Sequence, residues 1–326
     1  MREIRLVTVP DGLPKPTDFE IAEAPVPEPG PGEVLVRTTA FHVFAALRTL
    51  LGGTVPGAPF PGIEPDGTLF GAAVGEVASG PGLAPGTPVL HMKGWREYAA
   101  VPVAELRVLD GTLPDPVHHL GYAPLAYAAL TRDAGVRPGD TVFVTGGAGG
   151  VGSAAGQIAR LLGAGRVVGS TGSAEKAARM TAELGYDAVV LRTSAGFDAD
   201  LAEAALGGID VLIDNVGGDQ LRAALDLANP GARFVLVGAL DGQLDPGGNG
   251  RTSPVTLDAY RIILTRATLR GVAGPPGPEA EARLGAWLRS GELVLPDVRF
   301  TGIEQAPRAL HELLAGHHLG TVVVEL

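Results

Sequence analysis

From Thr141 the chain reads Thr-Val-Phe-Val-Thr, then Gly146-Gly-Ala-Gly-Gly-Val-Gly152, then an alanine-rich stretch ending at Gly163. A β-branched run, a glycine turn and a helix-forming run in that order fix a strand, a tight reversal and a helix within about twenty residues. The spacing G-x-G-x-x-G falls on Gly147, Gly149 and Gly152. Gly147 is expected to permit the tight turn, Gly149 to let a pyrophosphate approach the backbone, and Gly152 to bring helix close to strand. Gly150, Val151, Gly152 and Ser153, at the start of the helical run, are expected to face the bound anion, since a helix N-terminus presents free N–H groups. Alone the string is also compatible with a glycine-rich turn that binds nothing; with the strand before it and the helix after it, dinucleotide binding is the expected reading.

The surrounding pattern agrees. Strand-like runs at Thr141–Thr145, Arg166–Ser170, Ala188–Leu191, Val211–Asp214, Arg233–Val237 and Thr268–Val272 alternate with helix-like stretches at Val151–Gly163, Ala174–Gly185, Asp219–Ala228 and Leu257–Arg266. Such alternation predicts a doubly wound parallel sheet over residues 113–295. Before it, residues 1–112 are short apolar runs separated by Pro/Gly turns, the texture of a compact β-domain, with Ala40–Leu51 having the apolar density of one short helix. After it come helices at Glu279–Ser290 and Ile303–Ala315 and an apolar strand at Thr321–Glu325, so residues 296–326 are expected to complete the first domain. The Pro/Gly-rich segments Asp241–Gly250 and Gly274–Pro278 read as loops. The fold class is therefore α/β, in two domains.

Composition narrows the chemistry. The 326 residues include no cysteine, which removes disulfides, thiolate nucleophiles and cysteine-ligated zinc or iron–sulfur sites. A net charge of −11 argues against nucleic acid as a partner. No apolar run is long enough for a membrane span, and Met1–Pro10 has no signal-peptide pattern, so a cytoplasmic protein is expected.

The second strand bears on which dinucleotide is bound. NAD sites carry an acid about 20 residues past the glycines to bind the ribose 2′-hydroxyl. Here Arg166-Val-Val-Gly-Ser-Thr-Gly-Ser173 ends without one, while Ser173 offers a hydroxyl and Lys176 a cation. That set suits a 2′-phosphate, so NADPH is the expected cofactor, although Lys176 in a first helical turn is also an ordinary solvated residue. Asn215, in Asp214-Asn-Val-Gly-Gly218 at the end of the fourth strand, is placed to donate or accept at ribose or nicotinamide. Gly238, Ala239 and Leu240 end the fifth strand and Val272 the sixth, all on the expected cofactor crevice.

These parts resemble the zinc-free branch of the medium-chain dehydrogenase/reductase superfamily. The nearest pattern is the prostaglandin reductase and alkenal double-bond reductase group, followed by zeta-crystallin-like quinone reductases. The likeness runs through Val26-Pro-Glu-Pro-Gly-Pro-Gly-Glu-Val-Leu-Val36, Gly71-Ala-Ala-Val-Gly-Glu-Val77, Gly149-Gly-Val-Gly-Ser-Ala-Ala-Gly-Gln157, Gly172-Ser-Ala-Glu-Lys176, Asp214-Asn-Val-Gly-Gly218 and Leu319-Gly-Thr-Val-Val-Val324. It implies a GroES-like β-domain, a Rossmann domain and a homodimer formed through the Rossmann sheets. Where zinc-dependent relatives have Gly-His-Glu, this chain has Gly62-Ile-Glu64, so no metal is expected.

Departures from the group fall on proton handling. Its tyrosine after the fifth strand is replaced within Leu240-Asp-Gly-Gln-Leu244, and another within Val43-Phe-Ala-Ala-Leu-Arg48. A tyrosine that meets the cofactor phosphate corresponds to Arg192, and the group's Asn before the terminal Leu-Gly corresponds to His318. Tyr127, His42 and Tyr260 are the catalytic candidates, with Tyr122 and Asp241 considered beside them; for each, a packing or turn role competes. The expected activity is metal-free hydride transfer from NADPH to the β-carbon of a small, apolar, conjugated alkene, including a natural-product substrate. Three alternatives stand beside it: a reductive cyclase in which hydride addition to a polyene triggers ring closure, an NADPH quinone reductase, and a catalytically inactive nucleotide- or RNA-binding protein.

Overall fold

The computed structural model describes residues 1–57, 60–248, 250–272 and 277–326, and the chain divides into two compact units. The first comprises Met1–Gly121, Asp245–Arg251 and Asp297–Leu326, and the second Tyr122–Leu244 and Thr252–Pro296.

In the first unit, period-two patterning makes the strands. β1 (Arg2–Leu6) and β2 (Phe19–Glu23) form an antiparallel pair. β3 (Glu33–Val43) buries Val34, Val36, Thr38 and Ala40 on one face, then turns fully buried at Phe41–Val43. A short helix does form in the span Ala40–Leu51, but α1 covers only Leu47–Leu50, and Ala40–Val43 belong to β3. Phe41 and Val43, side chains suited to a pleated surface, continue the strand because it has a partner on each side. β4 (Ala73–Ser79), β5 (Pro88–His91), β6 (Tyr98–Pro102) and β7 (Arg107–Val108) follow. Val34, Val36, Val77, Val89, Ala99 and Val101 form one buried cluster. Residues 113–121, read from the sequence with the second domain, lie in this unit because Val117 and Leu120 pack with Ala40, Val74 and Val323.

The second unit opens with α2 (Ala123–Ala128) and then repeats strand and helix: β8 (Thr141–Val144), α3 (Gly150–Leu161), β9 (Arg166–Thr171), α4 (Ala174–Glu183), β10 (Ala188–Leu191), α5 (Phe197–Ala204), β11 (Ile209–Asp214), α6 (Gly218–Asp226) and β12 (Ala228–Leu236). After α7 (Leu240–Leu244) and α8 (Ala259–Thr265) come β13 (Thr268–Gly271) and α9 (Pro278–Ser290). The six strands are parallel in the order β10-β9-β8-β11-β12-β13. Numbered within this sheet the order is 3-2-1-4-5-6, the Rossmann arrangement, whose ligand crevice opens where the order reverses, between β8 and β11. Phe143, Val168, Leu212 and Phe234, all fully buried, form the centre of its core. Two sequence readings need adjustment. α5 was not foreseen, and Asp241–Gly250 is not all loop, since α7 takes its first residues. The reading of Gly274–Pro278 as a loop falls at 274–276 outside the described residues, and Pro278 opens α9.

β14 (Asp297–Thr301), α10 (Ala306–Leu314) and β15 (Thr321–Glu325) return to the first unit. β15 pairs antiparallel with β3, giving the order β14-β15-β3-β4-β5-β7 with β6 also on β3. Segment 245–251 joins this unit through two arginines. Arg48 donates to the carbonyls of Gly12, Asp245 and Gly248 at 3.1, 2.8 and 2.8 Å, and Arg251 to those of Thr49 and Gly53 at 3.2 and 2.9 Å.

Candidate dinucleotide site

The turn between β8 and α3 is shaped by what glycine lacks. Gly146 sits in the left-handed region at φ +60°, so the tight reversal belongs to Gly146 rather than to Gly147, as the sequence reading had it. Gly147 is needed for a different reason: a Cβ there would lie 2.4 Å from Met180 Cε and 3.0 Å from the Tyr186 hydroxyl. At Gly152 a Cβ would meet the Gly146 carbonyl and Gly147 Cα, both at 2.5 Å, so helix and turn are in backbone contact. At Gly149, the N-cap, it would meet only the Gly146 carbonyl, at 3.4 Å. No side chain caps α3, which leaves the amides of Gly150, Val151 and Gly152 to an anion. Ser153, buried, turns its hydroxyl to the Gly150 carbonyl at 3.4 Å and is not part of that donor set.

The underside of the turn is braced by residues the sequence did not single out. Ser170 accepts from the Gly146 amide at 3.1 Å, its carbonyl accepts from Gly147 at 2.8 Å, and its hydroxyl donates to Gln220. Tyr186 donates to the Gly152 carbonyl at 2.7 Å, and its ring fills the space that Gly156 and Gly169 leave open. Burial pushes the Tyr186 phenol well up, so it stays protonated as a donor.

At the end of β9 the structure brings together Gly172, Ser173, Lys176 and Arg192. Ser173 caps α4 by accepting from the Lys176 amide at 3.3 Å. The Arg192 amide donates to Thr171, and its guanidinium lies over Gly172, where a Cβ would be 2.8 Å from Nε. Arg192 is exposed and enters no ion pair among the described residues. Burial holds the Lys176 ammonium below its usual range, against Glu175 and with help from the charge of Arg192. Two cations and a hydroxyl thus converge where an NAD site would carry an acid.

At the end of β11, Thr145 donates to Asp214 Oδ1 at 2.7 Å and accepts from the Asn215 amide at 2.8 Å. Asp214 also accepts from the amides of Val216 and Gly217 at 3.1 and 3.0 Å, while burial, with a smaller contribution from Asp241, raises its pKa. The Asn215 Nδ2 donates to the Thr145 carbonyl at 2.7 Å, and its Oδ1 is buried with no partner among the described residues. Val237 and Gly238 donate to the Asp214 carbonyl at 2.7 and 3.1 Å, and Leu240 to that of Asn215 at 3.1 Å. Gly238 comes so close to Asn215 that a Cβ would sit 2.8 Å from its carbonyl. Ala239 accepts from Gln243, and Val272 donates to Leu236, so both lie at the carboxyl ends of β12 and β13. A glycine cradle, an uncapped helix and an orphaned buried acceptor at the switch point fit a dinucleotide.

Comparison with known proteins agrees with this geometry. Residues 150–289 match the family described as zinc-binding dehydrogenase, and residues 2–109 the N-terminal domain of oxidoreductase. The NADPH-dependent curcumin reductase of Escherichia coli (strain K12) is 30% identical over 98% of this chain and 95% of its own length. The chain belongs to the medium-chain dehydrogenase/reductase superfamily. Prostaglandin reductase 1 of Bos taurus, also 30% identical, covers 96% of this chain and 95% of that one. The crystal structure of CurA in complex with NADPH from Vibrio vulnificus has a TM-score of 0.89 at 28% identity, covering 100% of this chain and 99% of that one.

For a member of this superfamily the catalytic candidates occupy varied places. His42 lies on β3, 5% exposed and 5.6 Å from the Phe44 ring, and burial lowers its pKa to about 4, so it is neutral at physiological pH. Tyr127 on α2 packs on Trp287 of α9, ring centroids 5.9 Å apart, and burial pushes the Tyr122 phenol well up. Tyr260 is 65% exposed on α8 beside Ile263 and Leu264. His318 lies in the first unit, 3.1 Å from Glu312 and edge-on to Phe300. The Asp241 carboxylate lies over Gly218 at the start of α6, 2.7 Å from where its Cβ would be.

Proposed function

We propose that this chain is an NADPH-dependent reductase that adds hydride to the β-carbon of a small, apolar conjugated alkene without a metal. The observation that carries the cofactor half is the Arg192–Lys176–Ser173 cluster at the end of β9, two cations and a hydroxyl of the kind that binds a 2′-phosphate. The printed names of the relatives, curcumin reductase and prostaglandin reductase, support the substrate class. The sequence has no cysteine to build the zinc site of the wider superfamily, and no group of three or more metal-binding side chains occurs among the described residues.

In this reading NADPH supplies the hydride, and the protein supplies position. The amides of Gly150, Val151 and Gly152 hold the pyrophosphate, Arg192 and Lys176 the 2′-phosphate, and Asn215 a donor group of the other half. Hydride arriving at the β-carbon sends the alkene's π electrons toward the activating carbonyl. Hydrogen-bond donors stabilise the resulting enolate, and water protonates its α-carbon. The test uses NADPH deuterated at the transferred position with a panel of enones, polyenes and quinones, reading products by NMR. Deuterium at the β-carbon of an opened alkene supports the proposal. Label in a new ring favours the reductive cyclase, and quinone reduction with no label on carbon favours the quinone reductase. NADPH binding without oxidation by any of them leaves the binding protein.

The chain is further proposed to act as a homodimer. Tyr260, Ile263 and Leu264 are 65, 68 and 56% exposed on α8, and among the described residues β13 is the edge strand of the sheet. No described helix is long and apolar enough to cross a membrane.

A further inference from the structure

The buried acceptor of Asn215 poses a question of direction. A side-chain amide has a donating end and an accepting end, and exchanging them reverses what it recognises. Here the exchange is blocked. The Thr145 carbonyl, which only accepts, lies 2.7 Å from one end of the amide, so that end is Nδ2. Oδ1 is therefore the end without a partner among the described residues. The position of residue 215 is fixed in turn by the Thr145 hydroxyl, which accepts from the Asn215 main-chain N–H at 2.8 Å. That hydroxyl has a single proton, and it is committed to Asp214 Oδ1 at 2.7 Å. Asp214 is held by the amides of Val216 and Gly217, so Thr145 is the joint through which β8 and the β11 turn grip Asn215.

We infer that Thr145 and Asp214 are positioning residues that lock Asn215 as an acceptor, making the site select a hydrogen-bond donor on the nicotinamide half of the cofactor. This rests on the dinucleotide reading above. The choice of half follows from the sheet order. β9, with the 2′-phosphate cluster, flanks β8 on one side and β11 flanks it on the other, so a dinucleotide whose pyrophosphate lies at α3 extends its second half toward Asn215. An orphaned buried acceptor is costly unless a ligand donor meets it. The donor is a ribose hydroxyl or the carboxamide N–H.

The test measures dissociation constants of NADPH and of adenosine 2′,5′-bisphosphate, which lacks the nicotinamide half, by fluorescence titration, with apo melting temperatures taken alongside. Thr145→Val should weaken NADPH roughly tenfold, as for one lost hydrogen bond, and leave the bisphosphate unchanged. Thr145→Ser, which keeps the hydroxyl, should restore NADPH affinity. In an Asn215→Ala background the Thr145→Val effect should vanish, the mark of a residue acting through another. The reduced 3-acetylpyridine analogue, without the carboxamide N–H, separates the two donors: Asn215→Ala spares it if the carboxamide is the donor and weakens it as it weakens NADPH if the ribose is. Unchanged NADPH affinity in Thr145→Val overturns the inference. So does equal weakening of both ligands without rescue by serine, which would make Thr145 merely structural. If the unaltered protein binds the bisphosphate but not NADPH, the lock fails; if it binds neither, the site reading itself fails.

Discussion

Arg192→Gln isolates the charge that assigns the cofactor. A 2′-phosphate carries about −1.5 to −2 charges at pH 7. Two unit charges about 4 Å apart interact by ~1 kcal/mol in water and ~4 kcal/mol at the effective dielectric of a protein surface. Arg192 is exposed, so the lower end applies. For a near-dianion this gives about 2 kcal/mol, or roughly thirtyfold in the NADPH dissociation constant. NADH, which has no 2′-phosphate, should not change. Lys176 is a second cation at the same place, with Arg192 among the charges that act on it, so the single substitution leaves part of the attraction in place. Arg192→Gln/Lys176→Gln should therefore lose more than the first substitution alone. Fluorescence titration with both cofactors measures these changes. Raising salt should narrow the NADPH–NADH difference in the unaltered protein more than in the variant, since exposed charges are screened. On the alkaline side the sign is set by Lys176: its lowered pKa means that its charge, and its share of NADPH affinity, is lost as pH rises through that value. Equal weakening of NADH and NADPH, or of neither, would refute the phosphate assignment.

Gly152→Ala should lower the melting temperature sharply and abolish NADPH binding, because its methyl meets backbone at 2.5 Å. Gly149→Ala, with only one contact at 3.4 Å, should melt near the unaltered protein and weaken only the cofactor. Burial depresses His42 and His91 to about 4, with Arg96 and Lys93 adding to the effect at His91. The unfolded chain takes up those protons near pH 6.5, so stability is full above 6.5 and falls toward pH 4, by up to about 3 kcal/mol per histidine. Urea unfolding at pH 7 and pH 5 should show a smaller loss in His91→Gln than in the unaltered protein, and an equal loss would contradict the burial argument. Ile263→Glu on α8 should convert the proposed dimer to a monomer in analytical ultracentrifugation, and a species of unchanged mass would place the contact elsewhere.

Much of the fold was legible because its signals are local. The strands at Thr141, Arg166 and Ala188 begin at, or one residue before, β-branched runs, and glycine or proline marks where many elements stop. The misreadings share a cause. Apolar density over Ala40–Leu51 fits the helix at Leu47–Leu50 but not Ala40–Val43, because whether Phe41 and Val43 are helical or extended is decided by β4 and β15, far away in the chain. α5 escaped notice because its apolar face is little more than Phe197, Leu201 and Ala204 packed on the sheet core, too few positions to set a period against the polar residues between them.

The candidate site divides along the same line. The motif glycines, Ser173, Lys176 and Asn215 announce themselves because their spacing is fixed within one turn or one strand end. Their supports do not. Thr145 reaches Asp214 across 69 residues, and Ser170 reaches Gln220 across 50. Tyr186, an ordinary aromatic before β10, becomes a brace for the phosphate turn only when Gly147, Gly152, Gly156 and Gly169 close around it. The motif's third glycine shows how much this changes. Sequence spacing explains Gly152 by the packing of helix on strand, whereas the structure sets it against the turn, with its carbonyl held by Tyr186. The conformation of the phosphate loop therefore depends on a residue 34 positions away in the chain. Transplanting the G-x-G-x-x-G string without Tyr186, Ser170 and Thr145 would carry over the donors for the pyrophosphate but not the supports that aim them.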